Sequence, residues 1–473
     1  MIMKKMLCNI NSTLFDALKL IKSNKKGAVF VTDDTGKLRG VLTLGDVVIL
    51  LLKYYDLNYK ISNILRKKYY FAKEGDSIIK ISARIPKEIR IVPIVNKNGQ
   101  VVNYFEPPKT IRTSVPISEP DLHNEELRYL LDAFLSTWIS STGKYINKFE
   151  KEFADFCGCK YGVATSNGTT ALHLGLTALG ISRGDEVIVP DLTFAASINA
   201  VLHAGATPVI VDVEKDSWTI DPKEIEKAIT SKTKAIMPVH IYGQPCGMDE
   251  IMKIAKKHKL FIVEDCAEAH GAKFKNKTVG GWGDVGCFSF YANKIITTGE
   301  GGMCVTNSRK LYDRMRVLRD HGMSKEKKYW HEEVGFNYRM TNLQAAIGCA
   351  QLETINDTLI RNEKLNNRYE ELLKDLRFIE FQKRIHSRKK ITWLVSMLTN
   401  NGKRDLLLAK LLENKIDARP FFYSLSEMPI YKRYSFSSKN SLAISRSGIS
   451  LPTGHNITDS EILRAKKIIE DTV

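Results

Sequence analysis

The chain has no apolar run near the ~20 residues that a membrane helix needs; its longest candidate, Val47-Val-Ile-Leu-Leu-Leu52, stops at Lys53. That excludes membrane insertion by a helix. The first ten residues, Met1 to Ile10, lack the apolar core and small-residue cleavage site of a secretory signal, so a cytoplasmic protein is expected. Cysteines are few and dispersed, eight in 473 residues, and only Cys157 and Cys159 stand close together. With no second pair and no histidines at ligand spacing, neither a zinc site nor a disulfide framework is expected, and the thiols read as buried and reduced. Charge of one sign is scarcer than the other: 53 acidic residues against 71 basic ones leave a net +18. The excess falls in short clusters far apart, Arg66-Lys67-Lys68, Lys256-Lys-His-Lys259 and Lys325-Glu-Lys-Lys328. No single basic stripe forms, which argues against nucleic acid as a partner, while a general positive field favours encounter with a small anionic substrate.

A hydrophobic share of 43% and a charged share of 26% describe a globular protein, and the length calls for two or three units. Three stretches in the middle of the chain carry chemistry. Phe288-Ser-Phe-Tyr-Ala-Asn-Lys-Ile-Ile-Thr-Thr-Gly-Glu-Gly-Gly302 surrounds Lys294 with hydroxyls, small residues and glycines. Such a setting suits no packed helix face; it suits an amine that approaches an aldehyde such as pyridoxal phosphate, with Ser289 near the phosphate. Upstream, Leu260-Phe-Ile-Val-Glu-Asp-Cys-Ala-Glu-Ala-His270 reads as a buried strand ending in a carboxylate, where parallel-sheet enzymes place their ligands, so Asp265 is a partner for a protonated pyridine nitrogen. Further upstream, Ala164-Thr-Ser-Asn-Gly-Thr-Thr-Ala-Leu-His-Leu174 passes from strand through Gly168 into a helix, whose open amides at Thr169 and Thr170 form a phosphate cradle.

These three pieces, with Gly335-Phe-Asn-Tyr-Arg-Met-Thr-Asn-Leu-Gln-Ala-Ala-Ile-Gly348 and Arg419-Pro-Phe-Phe-Tyr423, resemble the pyridoxal-phosphate-dependent sugar aminotransferases that make amino sugars for surface polysaccharides. The resemblance runs from about Val115 to the C-terminus and is nearest to the perosamine-forming branch. It implies an α/β enzyme of the fold-type I class and a homodimer with shared active sites. L-glutamate would be the amino donor and a nucleotide-linked 4-keto-6-deoxyhexose the acceptor, with GDP-4-keto-6-deoxymannose first and a UDP-linked sugar second. Lys294 would hold the cofactor, release it to the donor and move the proton; sister dehydratases carry His at this place, so Lys favours transamination. Asp265 would keep the ring nitrogen protonated, Glu268 would face the ring hydroxyl, and Phe194 would stack on the ring. Thr169, Thr170 and Ser289 would contact the phosphate. Asn337 would reach the phosphate of the neighbouring subunit, and Arg419 and Phe421 fall near the substrate. His240 and Tyr242, at a strand end, and His321 stand as substrate contacts or as satisfied core groups.

Strand and helix signals alternate from Tyr161 to Val263, predicting a mainly parallel sheet with helices on both faces. A long helical segment from Thr341 to Leu373 should lead into a smaller C-terminal subdomain. We therefore expect a catalytic unit over 115–360 and a small subdomain over 361–473.

Residues 1–106 form a separate unit. A helix pattern at Thr13–Ile21, a strand at Gly27–Thr32, a turn at Asp33–Gly36 and then Gly40-Val-Leu-Thr-Leu-Gly-Asp46 resemble a CBS motif, a small module that often binds adenine nucleotides. The resemblance puts Thr43 and Asp46 where that family contacts ribose. A second, degraded copy carries Val102-Asn-Tyr-Phe-Glu106 in place of Gly, Thr and Asp, and Pro107 to Ser114 reads as a linker. The pair is a nucleotide sensor or an element of assembly and stability; a regulator with a non-catalytic aminotransferase body is the rival reading of the whole chain.

Overall fold

Two hairpins of the same design organise the first unit of the computed structural model, which describes residues 5–54, 56–65, 69–76, 89, 91–106, 114–122, 124–324, 326–400 and 402–472. The basic cluster at 66–68, Lys325 and the linker residues 107–113 lie outside these. The chain divides into two compact units, Met1–Thr113 and Ser114–Val473. No helix among the described residues is long and apolar enough to cross a membrane.

In the first unit, strand β1 (Leu7–Asn9) runs parallel to β2 (Ala28–Thr32), which turns back on β3 (Leu38–Thr43). The pattern repeats as β4 (Ala72–Lys73), β5 (Val92–Val95) and β6 (Val101–Phe105), with the same parallel-then-antiparallel order. Both hairpins carry a register shift, between Val31 and Thr32 in one and between Ile94 and Val95 in the other. Asp33 and Asn96 each fold their side chains onto the turn, and Gly36 and Gly99 take the left-handed conformation at φ 79° and 78°. The two hairpins then bond to each other reciprocally, Leu38 N–H to Gly99 O at 2.9 Å and Val101 N–H to Gly36 O at 3.3 Å. A second repeat that has lost its signature residues thus keeps the backbone design.

Helices Leu14–Asn24 and Leu44–Tyr54 of this unit both open with a Thr-x-x-Asp capping box. Thr13 and Asp16 cap the first. In the second, Asp46 Oδ2 accepts from Thr43 N at 3.0 Å and from Thr43 Oγ1 at 2.6 Å, while Thr43 Oγ1 accepts from Asp46 N at 3.1 Å. The two groups expected at a ribose cap this helix together, which is the local reason the chain turns from strand to helix there.

The second unit is built on a seven-stranded sheet. Its strands are β7 (Tyr161–Thr165), β8 (Glu186–Pro190), β9 (Thr207–Val211), β10 (Thr233–Ile236), β11 (Phe261–Asp265), β14 (Val285–Ser289) and β15 (Gly302–Thr306), in spatial order β7-β15-β14-β11-β10-β8-β9. Only β15 runs against its neighbours. Runs such as Val187-Ile-Val189 are apolar without alternation because both faces are covered, Val187 and Val189 in a core with Leu174 and Ile210 and Ile188 in another with Val211 and Ile236. A short strand, β12 (Lys273–Phe274), pairs on one side with β13 (Lys277–Thr278) and on the other with β17 (Arg388–Lys389). A four-stranded antiparallel sheet, β16 (Ile379–Phe381), β18 (Val395–Thr399), β20 (Gly448–Leu451) and β19 (Arg419–Pro420), has its own core around Val395, Leu411 and Ile449. The long helix expected over 341–373 is two helices, Asn342–Glu353 and Ile355–Leu373, broken at Thr354. There the hydroxyl turns back onto Gln351 O at 3.3 Å, competing with the helical ladder.

Candidate active site

At the carboxyl end of β7 the chain turns through Asn167 into helix Gly168–Ala178. Asn167 Oδ1 accepts from Thr170 N at 2.9 Å, and Thr170 Oγ1 accepts from Asn167 N at 3.1 Å. Thr170 is therefore committed to the cap, and the amides of Gly168 and Thr169 in the open first turn are the ones that face an anion. Gly168 is required by packing. A Cβ there would lie 2.7 Å from the Cβ of Ser289, which ends β14 and lines the same hollow.

Asp265 ends β11, buried, with Oδ2 accepting from Ser197 Oγ at 2.8 Å and Oδ1 from Ala267 N at 3.1 Å. Burial pushes its pKa up, against these hydrogen bonds. Glu268, one turn on, accepts from Tyr242 N at 2.8 Å; burial pushes its pKa up to about 7, with Lys294 pulling the other way. Lys294 Nζ stands 3.8 Å from Glu268 Oε1 and 3.9 Å from the centroid of the Trp393 ring. Burial lowers its pKa, and the charges of Glu268 and Asp265 only partly oppose this. These groups share a cavity of about 650 Å³ with Thr169, Phe194 and Phe422 in its wall.

Tyr242 and Arg419 also line this cavity. Tyr242 is buried and its hydroxyl accepts from Phe422 N at 3.2 Å. Phe194 is 59% exposed on the cavity rim, its ring 5.5 Å from that of Phe422. Three expected substrate contacts are not in the cavity. His240 is wholly buried with both ring nitrogens engaged, Nδ1 accepting from Cys246 N at 3.0 Å and Nε2 paired with Glu264 Oε2 at 3.0 Å. Phe421 packs into the core against Tyr242 and Trp218, and its neighbour Phe422 faces the cavity instead. His321 lies on an exposed segment with Nε2 3.2 Å from Arg339 Nη2. Asn337 is exposed on the same segment, outside the cavity lining, with Oδ1 accepting from Arg339 Nε at 3.1 Å.

His240, Glu264 and Cys266 bring one ligand atom each within 4.8 Å of one another. Glu264 is saturated there by N–H donors, from Gly280 at 2.8 Å and from Trp282 and Gly283 at 2.7 Å each, besides His240. The cluster is a hydrogen-bonded brace for the loop ahead of β14.

Sequence reasoning passed over Ser197, Trp393, Asp191 and Asp212. Asp191, just beyond β8, is fully buried and accepts from Ser426 N at 2.7 Å, Ser426 Oγ at 2.9 Å and Ser441 Oγ at 2.5 Å. Asp212, just beyond β9, accepts from Asn440 N at 2.7 Å and Ser441 N at 2.8 Å, closing the N-terminus of helix Lys439–Ser447. These carboxylates fasten the segment that carries Phe422 to the sheet. Asp191 directly follows the apolar strand β8, three positions before Phe194, so its place at a strand end was a usable signal; Trp393 offered none.

The model of the DegT/DnrJ/EryC1/StrS aminotransferase family matches residues 120–470. The chain belongs to this family. It is 44% identical to the GDP-perosamine synthase of Escherichia coli O157:H7 over 353 residues, 74% of this chain and 96% of that protein. Against the GDP-perosamine synthase of Caulobacter vibrioides identity is 45% over 356 residues, with the same coverage. Spr1654 from Streptococcus pneumoniae, in its PLP form, superposes with a TM-score of 0.72 at 27% identity, covering 76% of this chain and all of that one. The CBS domain model matches residues 2–53, which hold the first of the two hairpin modules. As a family member the chain is a pyridoxal-phosphate-dependent sugar aminotransferase. The lining fits the cofactor: a cradle that only glycine permits at 168, a buried carboxylate at 265 and a buried lysine at 294 converge on one hollow.

Proposed function

We propose that the chain moves the amino group of L-glutamate to C4 of a nucleotide-linked 4-keto-6-deoxyhexose, with GDP-4-keto-6-deoxymannose as acceptor and GDP-perosamine as product. What supports this is 44% and 45% identity to two GDP-perosamine synthases over 96% of their length, joined to a cavity in which Lys294, Asp265 and Glu268 meet. The product suits surface polysaccharide biosynthesis in the cytoplasm.

Pyridoxal phosphate, when bound, supplies an electron sink for the carbon that loses its proton. The chain's residues do the rest. Gly168, Thr169 and Ser289 hold the phosphate, and Asp265, kept in place by Ser197 and Ala267, holds a proton on the ring nitrogen. Lys294 anchors the cofactor and moves the proton between carbons, and its lowered pKa puts more of it in the basic form near neutrality. Glu268 faces the ring hydroxyl, Phe194 covers the ring, and Arg419, Tyr242 and Phe422 form the wall the sugar nucleotide meets. Asn337, exposed and outside the lining of its own cavity, serves the site of a second copy in a homodimer.

The test is incubation of the protein with glutamate and GDP-, UDP- and dTDP-linked 4-keto sugars, with identification of the product by mass spectrometry and NMR. GDP-perosamine as the preferred product is expected. Preference for a UDP-linked acceptor would overturn the GDP assignment, and no aminated product from any would overturn the transaminase reading in favour of a regulator.

A further inference from the structure

We infer that Trp393 is the seat of the freed Lys294 ammonium, the face on which the amine rests whenever it is not joined to the cofactor. The inference builds on the role given to Lys294 above. Nζ lies 3.9 Å from the indole centroid, well inside the ~6 Å over which the negative face of an aromatic ring attracts a cation, and tryptophan is the strongest such ring. The indole is aimed. Its Nε1–H donates to the carbonyl of Asn293 at 2.7 Å, so the residue just before the lysine fixes the ring against which the lysine lies. The two are separated by 100 positions in the chain, and Trp393 enters from the approach to β18, so the contact is no by-product of local sequence. The nearly parallel Tyr242 ring, 12° off and 6.3 Å away, restrains it further, and the indole is 5% exposed.

The chemistry explains why such a seat is useful. An amine that leaves the cofactor and returns must wait somewhere close, and for part of that time it carries a proton. The charged and titratable groups around it are Asp265 and Glu268, at and just beyond the end of β11, and the buried His270; Trp393, from the C-terminal segment, adds an uncharged ring. Burial raises the pKa of both carboxylates and keeps His270 neutral near pH 7, with its pKa pushed down to about 3. A ring face does not titrate. It offers the ammonium a fixed partner whatever the protonation of Glu268, and it holds Nζ at the wall of the cavity.

The decisive measurement uses the cofactor-free protein, so it does not depend on turnover. Lys294 is labelled with limiting acetic anhydride across a pH series, and the extent is read from its peptide by mass spectrometry for the parent, Trp393→Phe, Trp393→Leu and Trp393→Met. Cation–π attraction favours the charged amine, so the two aliphatic variants should lower the labelling midpoint by about one pH unit while Trp393→Phe, which keeps a ring but loses the Asn293 bond, stays near the parent. In the holoenzyme the aliphatic variants should slow the half-reaction with glutamate ~10-fold or more with cofactor affinity little changed. A midpoint that is unchanged or higher without the ring overturns the inference, as does a Phe variant that behaves like the aliphatic ones, which would leave only the hydrogen bond. Borohydride reduction of the holoenzyme followed by peptide mapping is read separately: cofactor on another lysine would defeat the function proposed for Lys294 and leave the labelling result standing on its own.

Discussion

Burial moves Lys294 and Glu268 toward each other in acidity, the lysine down from its ordinary value and the carboxyl up to about 7. Lys294→Ala should abolish transamination and leave the fold intact, since it removes the proton carrier and little apolar area; circular dichroism and turnover read the two parts. Asp265→Asn should keep some cofactor and lose most of the rate, because a neutral amide cannot hold the ring nitrogen protonated; a glutamate half-reaction at the parent rate would sink that assignment. For Glu268 the sign is fixed by the raised pKa. The folded protein binds this proton more tightly than the unfolded chain does, so the stabilisation is complete below about pH 4.5 and is lost as pH rises through about 7. In the cofactor-free protein this amounts to at most about 3 kcal/mol. Glu268→Gln keeps an acceptor for Tyr242 N–H and should flatten the fall in Tm between pH 5 and 8. A fall as steep as in the parent would remove Glu268 as its source.

At the scale of elements, the cradle depends on helix Gly168–Ala178 meeting the end of β14 with no side chain between them. Gly168→Ala should weaken pyridoxal phosphate binding ~10-fold or more, measured by titration of the cofactor-free protein, because the new methyl at 2.7 Å from Ser289 Cβ must push one of the two elements away. The far-UV spectrum should not change. The cradle, the β11 carboxylate and the lysine loop were legible in the sequence because each joins a hydrophobic run to a turn of fixed chemistry. Faces were not legible. Arg419-Pro-Phe-Phe-Tyr423 offered two adjacent phenylalanines, and only the pairing of β19 with β20, which packs Phe421 against Gly448, decides that Phe422 is the one in the cavity. His240, at a strand end, could be a substrate contact or a satisfied core group, and only the bonds to Cys246 and Glu264 put it in the core. The Thr43–Asp46 pair could be seen, but not that each residue satisfies the other.

The whole molecule raises the question of copies. The segment from Phe134 to Ile139 leaves Phe134, Leu135, Trp138 and Ile139 exposed, a concentration of apolar surface that a partner would cover. In the proposed dimer, mixing Asn337→Ala with Lys294→Ala after subunit exchange should raise activity above the sum of the parents, because one site of the mixed dimer then carries neither lesion. No gain despite demonstrated exchange would count against a role for Asn337 in its partner's site. The clamp made by Asp191 and Asp212 has a consequence for how this chain comes into being. Ser441 binds Asp191 across 250 positions, so the wall bearing Phe422 cannot be fastened until most of the protein has left the ribosome. The hairpin unit of the first 113 residues, and much of the seven-stranded sheet, have their partners long before that. During synthesis the future cavity is therefore an open ledge, and pyridoxal phosphate arriving at a nascent chain finds its lysine and its cradle but no roof.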